Sequence, residues 1–300
     1  MTPGRAGARA VGMFDLQGHR GARALHPENT LEGLRAAIAL GLRTVEIDVG
    51  VTRDGAVVVH HDPALNPDIT RDRAGAWLPD RGPLLRELTL AQLAEYDVGR
   101  IRPGTDYAER FPQQAARDGA RIPTLDQVLA LDDATRWNIE LKSVPAHPGW
   151  TVPAEEMVER VLHVAGAAAA LSRITIQSFD WRAPRHARRI RPGVARGWLT
   201  DTRTVGDAAL WLGREVSDME DVPHAVAKEG GGTWTPEHVD LTEDLLAEAH
   251  GLGLLVVPWT VNARADMLRL IGWGVDGLIT DWPDRAFAAL ADRLDGAGRP

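Results

Sequence analysis

Thr44-Val-Glu-Ile-Asp48, running on as Val49-Gly-Val51, alternates apolar and acidic side chains with a period of two. On an extended strand, residues two apart leave the same face, so Val45, Ile47 and Val49 share one face and Glu46 and Asp48 the other. The apolar face is the one that packs on helices. The acids then face the inside of a closed sheet, at the C-terminal end of a strand, where barrel enzymes build their sites. Two like charges held there raise each other's pKa unless a cation lies between them. The plainer alternative is a pair of solvated or salt-bridged acids, and the apolar opposite face argues against it.

Short apolar runs of the same kind recur outward from this stretch. They are Phe14–Gly18, Trp137–Leu141, Ile174–Ser178, Ala195–Leu199, Gly232–Thr235, Leu254–Pro258 and Gly277–Thr280. Between them lie amphipathic stretches such as Thr30–Leu40, Ala154–Ala168, Thr242–His250, Ala265–Ile271 and Pro283–Leu294. Alternating strands and helices mark βα units and a parallel sheet. Eight strands in this length predict an α/β fold of the (β/α)8 TIM-barrel type, in one domain over residues 13–300. Residues 1–12 are predicted to be a flexible tail. No P-loop is present, so a nucleotide-binding sheet of that kind lacks its phosphate loop.

One gap breaks the rhythm. Val51-Thr-Arg-Asp-Gly55 predicts a hairpin turning into Ala56–His60, because Asp-Gly is a strong turn signal. A Pro-, Gly- and Arg-rich excursion over residues 66–119 follows, with its clearest helix at Thr89–Tyr96. It is expected to be a cap subdomain inserted after the second barrel strand; the alternative is a linker between two domains.

The chain has 300 residues, is 44% hydrophobic, contains no cysteine and carries a formal net charge of −8. Disulfides and thiolate metal sites are thereby excluded. The acidic balance argues against a general nucleic-acid binder. No run approaches the ~20 apolar residues of a membrane span, and the N-terminus lacks the apolar core of a secretory signal. The expected location is the cytoplasm, without stable membrane insertion. Oligomeric state is not legible.

Glu140-Leu-Lys142 repeats the two-residue spacing on the strand after the excursion, supplying a third carboxylate beside an amine. A simple Glu140–Lys142 ion pair is the plainer reading. Three carboxylates without sulfur favour Mg2+ or Ca2+ over Zn2+. His19 and Arg20 end the first strand between Gly18 and Gly21, which let backbone approach a ligand closely. Arginine offers a planar fork of donors suited to phosphate. His61 ends the hairpin arm and precedes Asp62, which could orient it. Two imidazoles across a phosphodiester can divide the work of base and acid. His60 should point the other way and be structural.

These phrases, with Pro27-Glu-Asn-Thr30, Thr52-Arg-Asp-Gly55, Gln177-Ser-Phe179, Trp259-Thr-Val-Asn262 and Asp276-Gly-Leu-Ile-Thr-Asp281, resemble the glycerophosphodiester phosphodiesterases over nearly the whole chain. The resemblance implies a TIM barrel that hydrolyses small-molecule glycerophosphodiesters to glycerol 3-phosphate and an alcohol, with one divalent cation, Ca2+ or Mg2+. It implies Glu46, Asp48 and Glu140 as metal ligands and His19 and His61 as the catalytic pair. Arg20 and Lys142 would hold phosphate, Phe179 and Trp259 would wall the site, Asn29 and Thr30 would start the first helix, and Glu28 would support the site from behind. The run Pro63-Ala-Leu-Asn-Pro-Asp-Ile-Thr-Arg71 departs from the family pattern on the leaving-group side. A lysophospholipase D or sphingomyelinase-D-like enzyme is the nearest rival, with Trp77, Trp150 and Trp181 as a potential apolar mouth. A non-catalytic phosphate-binding barrel is the more distant one.

Overall fold

The structure is a computed structural model that describes residues 14–297. The tail expected at 1–12 lies outside the described residues. Strands β1 (Asp15–Gly18), β2 (Thr44–Val51), β3 (Val57–Val59), β4 (Arg136–Leu141), β5 (Ile174–Ser178), β6 (Ala195–Thr200), β7 (Thr233–Pro236), β8 (Leu255–Val256) and β9 (Gly277–Thr280) form one sheet. Its order is β8-β7-β6-β5-β4-β2-β1-β9, with β3 alongside β2. All pairs along that path are parallel. The β9 segment returns to β8 through backbone bonds from Asp276 to Val256 O (2.9 Å) and Ile279 to Pro258 O (3.0 Å). The result is a nearly closed barrel of eight parallel strands with helices between them, as expected.

The alternation read from β2 holds around the ring. Val45, Ile47, Trp137, Ile139, Ile176, Trp198, Trp234 and Leu278 point outward and are fully buried against the helices. The inner face is polar, with Gln17, Glu46, Asn138, Gln177 and Thr235 all buried. Burial of both faces is what a parallel sheet under helices requires.

Three elements differ from expectation. Strand β8 is shorter than Leu254–Pro258, because Pro258 has no N–H to continue a ladder. The helix Arg182–Ile190 follows β5 without an obvious sequence signal. It buries only Ala183, Pro184, His186 and Ala187, so no stripe of large apolar residues announces it. The helix expected over Thr89–Tyr96 is one turn, Leu90–Leu93, with Thr89 and Gln92 capping each other.

The hairpin forms as read, β3 pairing antiparallel with β2 and Gly55 turning at φ 85°. The excursion from Pro63 to Pro123 carries the helices Leu90–Leu93 and Asp106–Arg110. Two apolar clusters anchor it. One joins Leu65, Leu85, Leu88, Leu93, Val98 and Ile122 to Val58 of β3. The other sets Ile69, Tyr107 and Phe111 against Ala24 and Trp282 of the barrel loops. Among the described residues no helix is long and apolar enough to cross a membrane.

Leu93 has no exposure in the first of these clusters. Leu93→Ala should cost about 2–4 kcal/mol. Limited proteolysis is then expected to cut between residues 63 and 123 while the circular dichroism of the barrel persists; unchanged resistance there would contradict it.

Candidate active site

Strand β2 delivers Glu46 and Asp48, and β4 delivers Glu140, directly opposite Asp48 in the register. Packing of the outer face drives the acids inside: Glu46 is 1%, Asp48 0% and Glu140 7% exposed. One oxygen from each lies within 4.8 Å of the others. Near that separation two carboxylates repel by roughly 3 kcal/mol even at an effective dielectric of about 20. Burial, together with the charges of Asp48 and Glu140, pushes Glu46 well above the usual carboxylate range. Burial also raises Glu140, against the pull of Lys142. Asp48 moves the other way: burial opposes its charge, but His61, Arg20, Lys142 and His19 together hold it well below that range.

Each acid has one oxygen fixed by a donor. Arg20 N–H donates to Glu46 Oε2 at 3.0 Å, Asn29 Nδ2 to Asp48 Oδ2 at 2.9 Å and Lys142 Nζ to Glu140 Oε1 at 2.7 Å. The plainer reading of Glu140 and Lys142 as an ion pair is thus also realised, and Lys142 Nζ stands 3.5 Å from Asp48 Oδ1 as well. Glu46 Oε1 and Asp48 Oδ1 are buried without a hydrogen-bond partner. An all-oxygen set with unpaired buried acceptors fits a hard divalent cation.

Backbone geometry makes these contacts possible. A Cβ on Gly18 would fall 2.0 Å from Gly21 O, so the chain can fold back tightly only with glycine there. Arg20 and Asn29 both adopt left-handed backbone at φ 53°. For Arg20 that is a conformation costing on the order of 1 kcal/mol. It turns the Arg20 N–H toward Glu46 while its side chain reaches Asp48, Nε to Oδ2 at 3.3 Å, and Glu28, Nη1 to Oε1 at 3.0 Å. Asn29, expected at a helix start, stands just before the N-cap and also holds Asp48. Thr30 does cap the first helix, accepting Gly33 N–H at 3.1 Å.

The two histidines enter from different elements. His19 follows β1, with Nε2 4.0 Å from Glu46 Oε2. Its Nδ1 lies 2.6 Å from Asp281 Oδ1. Asp281 is ionised: although burial opposes its charge, Arg23 and His19 hold it well below the ordinary range. A carboxylate only accepts, so Nδ1 carries the proton and Nε2 presents its lone pair to the mouth. Burial and Arg23 lower His19 to about 4. His61 follows β3, its Nδ1 2.7 Å from Asp62 Oδ1, and Asn66 Nδ2 holds the far oxygen of Asp62 at 2.9 Å. Burial, Arg20 and Lys142 lower His61 to about 3. His60 is buried.

Phe179 and Trp259 meet edge to face at 5.3 Å, at the ends of β5 and β8. Arg203 lies 5.9 Å from the Phe179 ring, and Trp259 donates its Nε1 to Thr235 O at 2.9 Å. Sequence reasoning missed Asp281, which Arg23 also grips at 2.8 and 2.9 Å and Asn262 Nδ2 at 2.7 Å. The signal was an acid at the end of the last strand, level with the histidine ending the first.

The sequence matches the profile described as "Glycerophosphoryl diester phosphodiesterase family" over residues 19–285. The chain belongs to that family. It is 29% identical to a glycerophosphodiester phosphodiesterase of Bacillus subtilis, over 89% of this chain and 83% of that one. It is 28% identical to another from Caldanaerobacter subterraneus, over 89% and 93%. Among solved structures it is similar to a candidate glycerophosphoryl diester phosphodiesterase from Silicibacter pomeroyi, with TM-score 0.85, 38% identity and 94% of both chains covered. The chain is an enzyme of the glycerophosphodiester phosphodiesterase class.

Three outcomes follow from this geometry. At pH 7.5, Ca2+ or Mg2+ at a hundredfold excess over Kd should raise Tm by roughly 4–6 °C. Glu46 and Glu140 have raised pKa values, so protons compete for their oxygens, and the cation-induced rise should shrink as pH falls toward 5. Glu46→Gln should abolish it, and scanning calorimetry of both proteins checks this. The histidines shift stability with pH in the same direction. Their folded pKa values lie below the ordinary 6.5, so their contribution is complete above that pH and is lost as pH falls toward 4. Separately, Asp281→Asn removes the group that fixes the His19 tautomer, and kcat should fall by at least about 100-fold with the fold intact. Wild-type kcat in that variant would exclude an orienting role.

Proposed function

We propose that this chain hydrolyses water-soluble glycerophosphodiesters to glycerol 3-phosphate and an alcohol. Glu46, Asp48 and Glu140 would hold one Ca2+ or Mg2+ ion, and His19 and His61 would be the acid–base pair. The observation that carries this reading is convergence. Two imidazoles, each oriented through Nδ1 by its own aspartate, reach one barrel mouth where three buried carboxylates meet an arginine and a lysine.

A divalent cation on the three carboxylates supplies Lewis acidity toward a phosphoryl oxygen. The remaining work falls to side chains. Arg20 and Lys142 neutralise the phosphate, Arg20 with its planar fork and Lys142 as a point charge. One neutral histidine takes the proton of the attacking hydroxyl, from water or from the substrate's adjacent hydroxyl, as the new P–O bond forms. The other returns a proton to the alkoxide as the old P–O bond breaks. Burial, with Arg20 and Lys142, holds His61 at about 3. An anionic phosphate against those two cations offsets them and raises His61, so substrate binding itself prepares it to carry a proton. Phe179 and Trp259 would wall the glycerol or headgroup side, and the excursion over about 66–119 would cap the mouth of this single barrel domain.

The lipid-directed reading loses its apolar mouth. Trp181 has no exposure and packs on Trp198 in the core. Trp150 lies between His147, stacked at 4.1 Å, and Arg81 at 4.6 Å. Trp77 lies under Arg71 at 5.6 Å. A soluble headgroup fits these surroundings better than an acyl chain. The non-catalytic reading is disfavoured because both histidines and all three carboxylates are in place.

Purified enzyme with Ca2+ or Mg2+ should release glycerol 3-phosphate from glycerophosphocholine. Release should stop in EDTA and be far slower on lysophosphatidylcholine. His19→Ala and His61→Ala should each lose about 10²–10⁴ in kcat without a change in Tm large enough to unfold the protein. Activity that persists in EDTA, with no metal detected by elemental analysis, would remove the cation from the scheme.

A further inference from the structure

The helix Asp106–Arg110 belongs to the excursion, yet it reaches the residues around the acids. Thr105 caps it by accepting Ala108 N–H at 3.2 Å. Tyr107 turns inward into the cluster with Phe111, Ala24, Ile69 and Trp282 and is 6% exposed. A buried phenol needs a partner for its hydroxyl. That hydroxyl donates to Glu28 Oε2, and the other oxygen of Glu28 accepts Arg20 Nη1 at 3.0 Å.

Arginine has a long, flexible stem, so the left-handed backbone at Arg20 does not aim its guanidinium. Glu28 on one side and Asp48 on the other do that. Glu28 needs a hold of its own. Arg23 Nη1 is 3.8 Å from Glu28 Oε2, too far for a hydrogen bond. Tyr107 is the one hydrogen-bond donor to that oxygen among the described residues. A hydrogen bond to a buried carboxylate is worth more than one between neutral groups, because the charge has little water to fall back on.

We propose that Tyr107 is a positioning residue that acts through Glu28 to aim the Arg20 guanidinium at the phosphoryl group. The excursion then sets phosphate affinity without touching phosphate. This rests on the reading of Arg20 as a phosphate clamp. Seating of the excursion helix and formation of the clamp become one event, since the same ring that anchors the helix carries the hydroxyl.

Tyr107→Phe deletes one hydroxyl and keeps the ring against Phe111 at 5.2 Å and Arg23 at 5.9 Å. Calorimetric binding of inorganic phosphate and of glycerol 3-phosphate should weaken about tenfold. KM for glycerophosphocholine should rise similarly, with kcat less affected and the cation-induced rise in Tm retained. In an Arg20→Lys background, which keeps the charge and loses the fork, Tyr107→Phe should add no further loss. Glu28→Gln should reproduce the loss, again only when Arg20 is present, and it decides the matter should Tyr107→Phe fold poorly.

Phosphate affinity within about twofold of wild type in Tyr107→Phe would overturn the relay. So would an equal loss in both backgrounds. If Arg20→Lys alone leaves phosphate binding unchanged, the clamp falls and the relay falls with it. If Arg20→Lys weakens binding and Tyr107→Phe does not, only the relay falls. The binding measurement needs no turnover, so it decides the relay even for an enzyme inactive on glycerophosphocholine.

Discussion

Glu46, Asp48 and Glu140 repel one another in a space from which the strands exclude water, and the surrounding fold is arranged to tolerate this. Helices cover the outer faces of β2 and β4, which forces the inner-facing acids out of solvent. Compensation comes from donors drawn from separate parts of the chain: the Arg20 backbone, Asn29 and Lys142. The two positive-φ residues Arg20 and Asn29 flank the loop that brings them. The strain at Arg20 is small beside the cost of leaving a buried carboxylate without a donor.

Burial holds both histidines neutral at physiological pH, joined by Arg23 at His19 and by Arg20 and Lys142 at His61. A neutral imidazole whose Nδ1 is tied to a carboxylate has one free lone pair in a known direction. Orientation and protonation are therefore solved together. The cations that make His61 hard to protonate are those an anionic substrate would offset.

Much of this was legible in the chain. The two-residue spacing of Glu46 and Asp48, repeated at Glu140 and Lys142, carries side-chain direction, and direction is what a strand preserves. His19, Arg20 and His61 were legible because short motifs place them at strand ends. The helix Arg182–Ile190 was not, because it packs through alanines and a proline, which leave no periodic apolar trace. Asn29 does stand at the helix start, just before the cap Thr30, but its hold on Asp48 was not legible, because asparagine suits both a cap and a left-handed turn. Asp281 and Tyr107 were missed for a different reason: each matters through a residue distant in the chain, and only the closed ring makes them neighbours.

The bond between His19 and Asp281 spans 262 positions, and the strands bearing them, β1 and β9, are adjacent. A ribosome must therefore finish the last βα unit before the first histidine acquires its orienting acid. Contacts of such sequence separation form late and slowly. A nascent or C-terminally truncated chain can carry Glu46, Asp48, Glu140 and His61 and still lack an aligned His19. The His19–Asp281 contact thus forms only once the last barrel strand has been made.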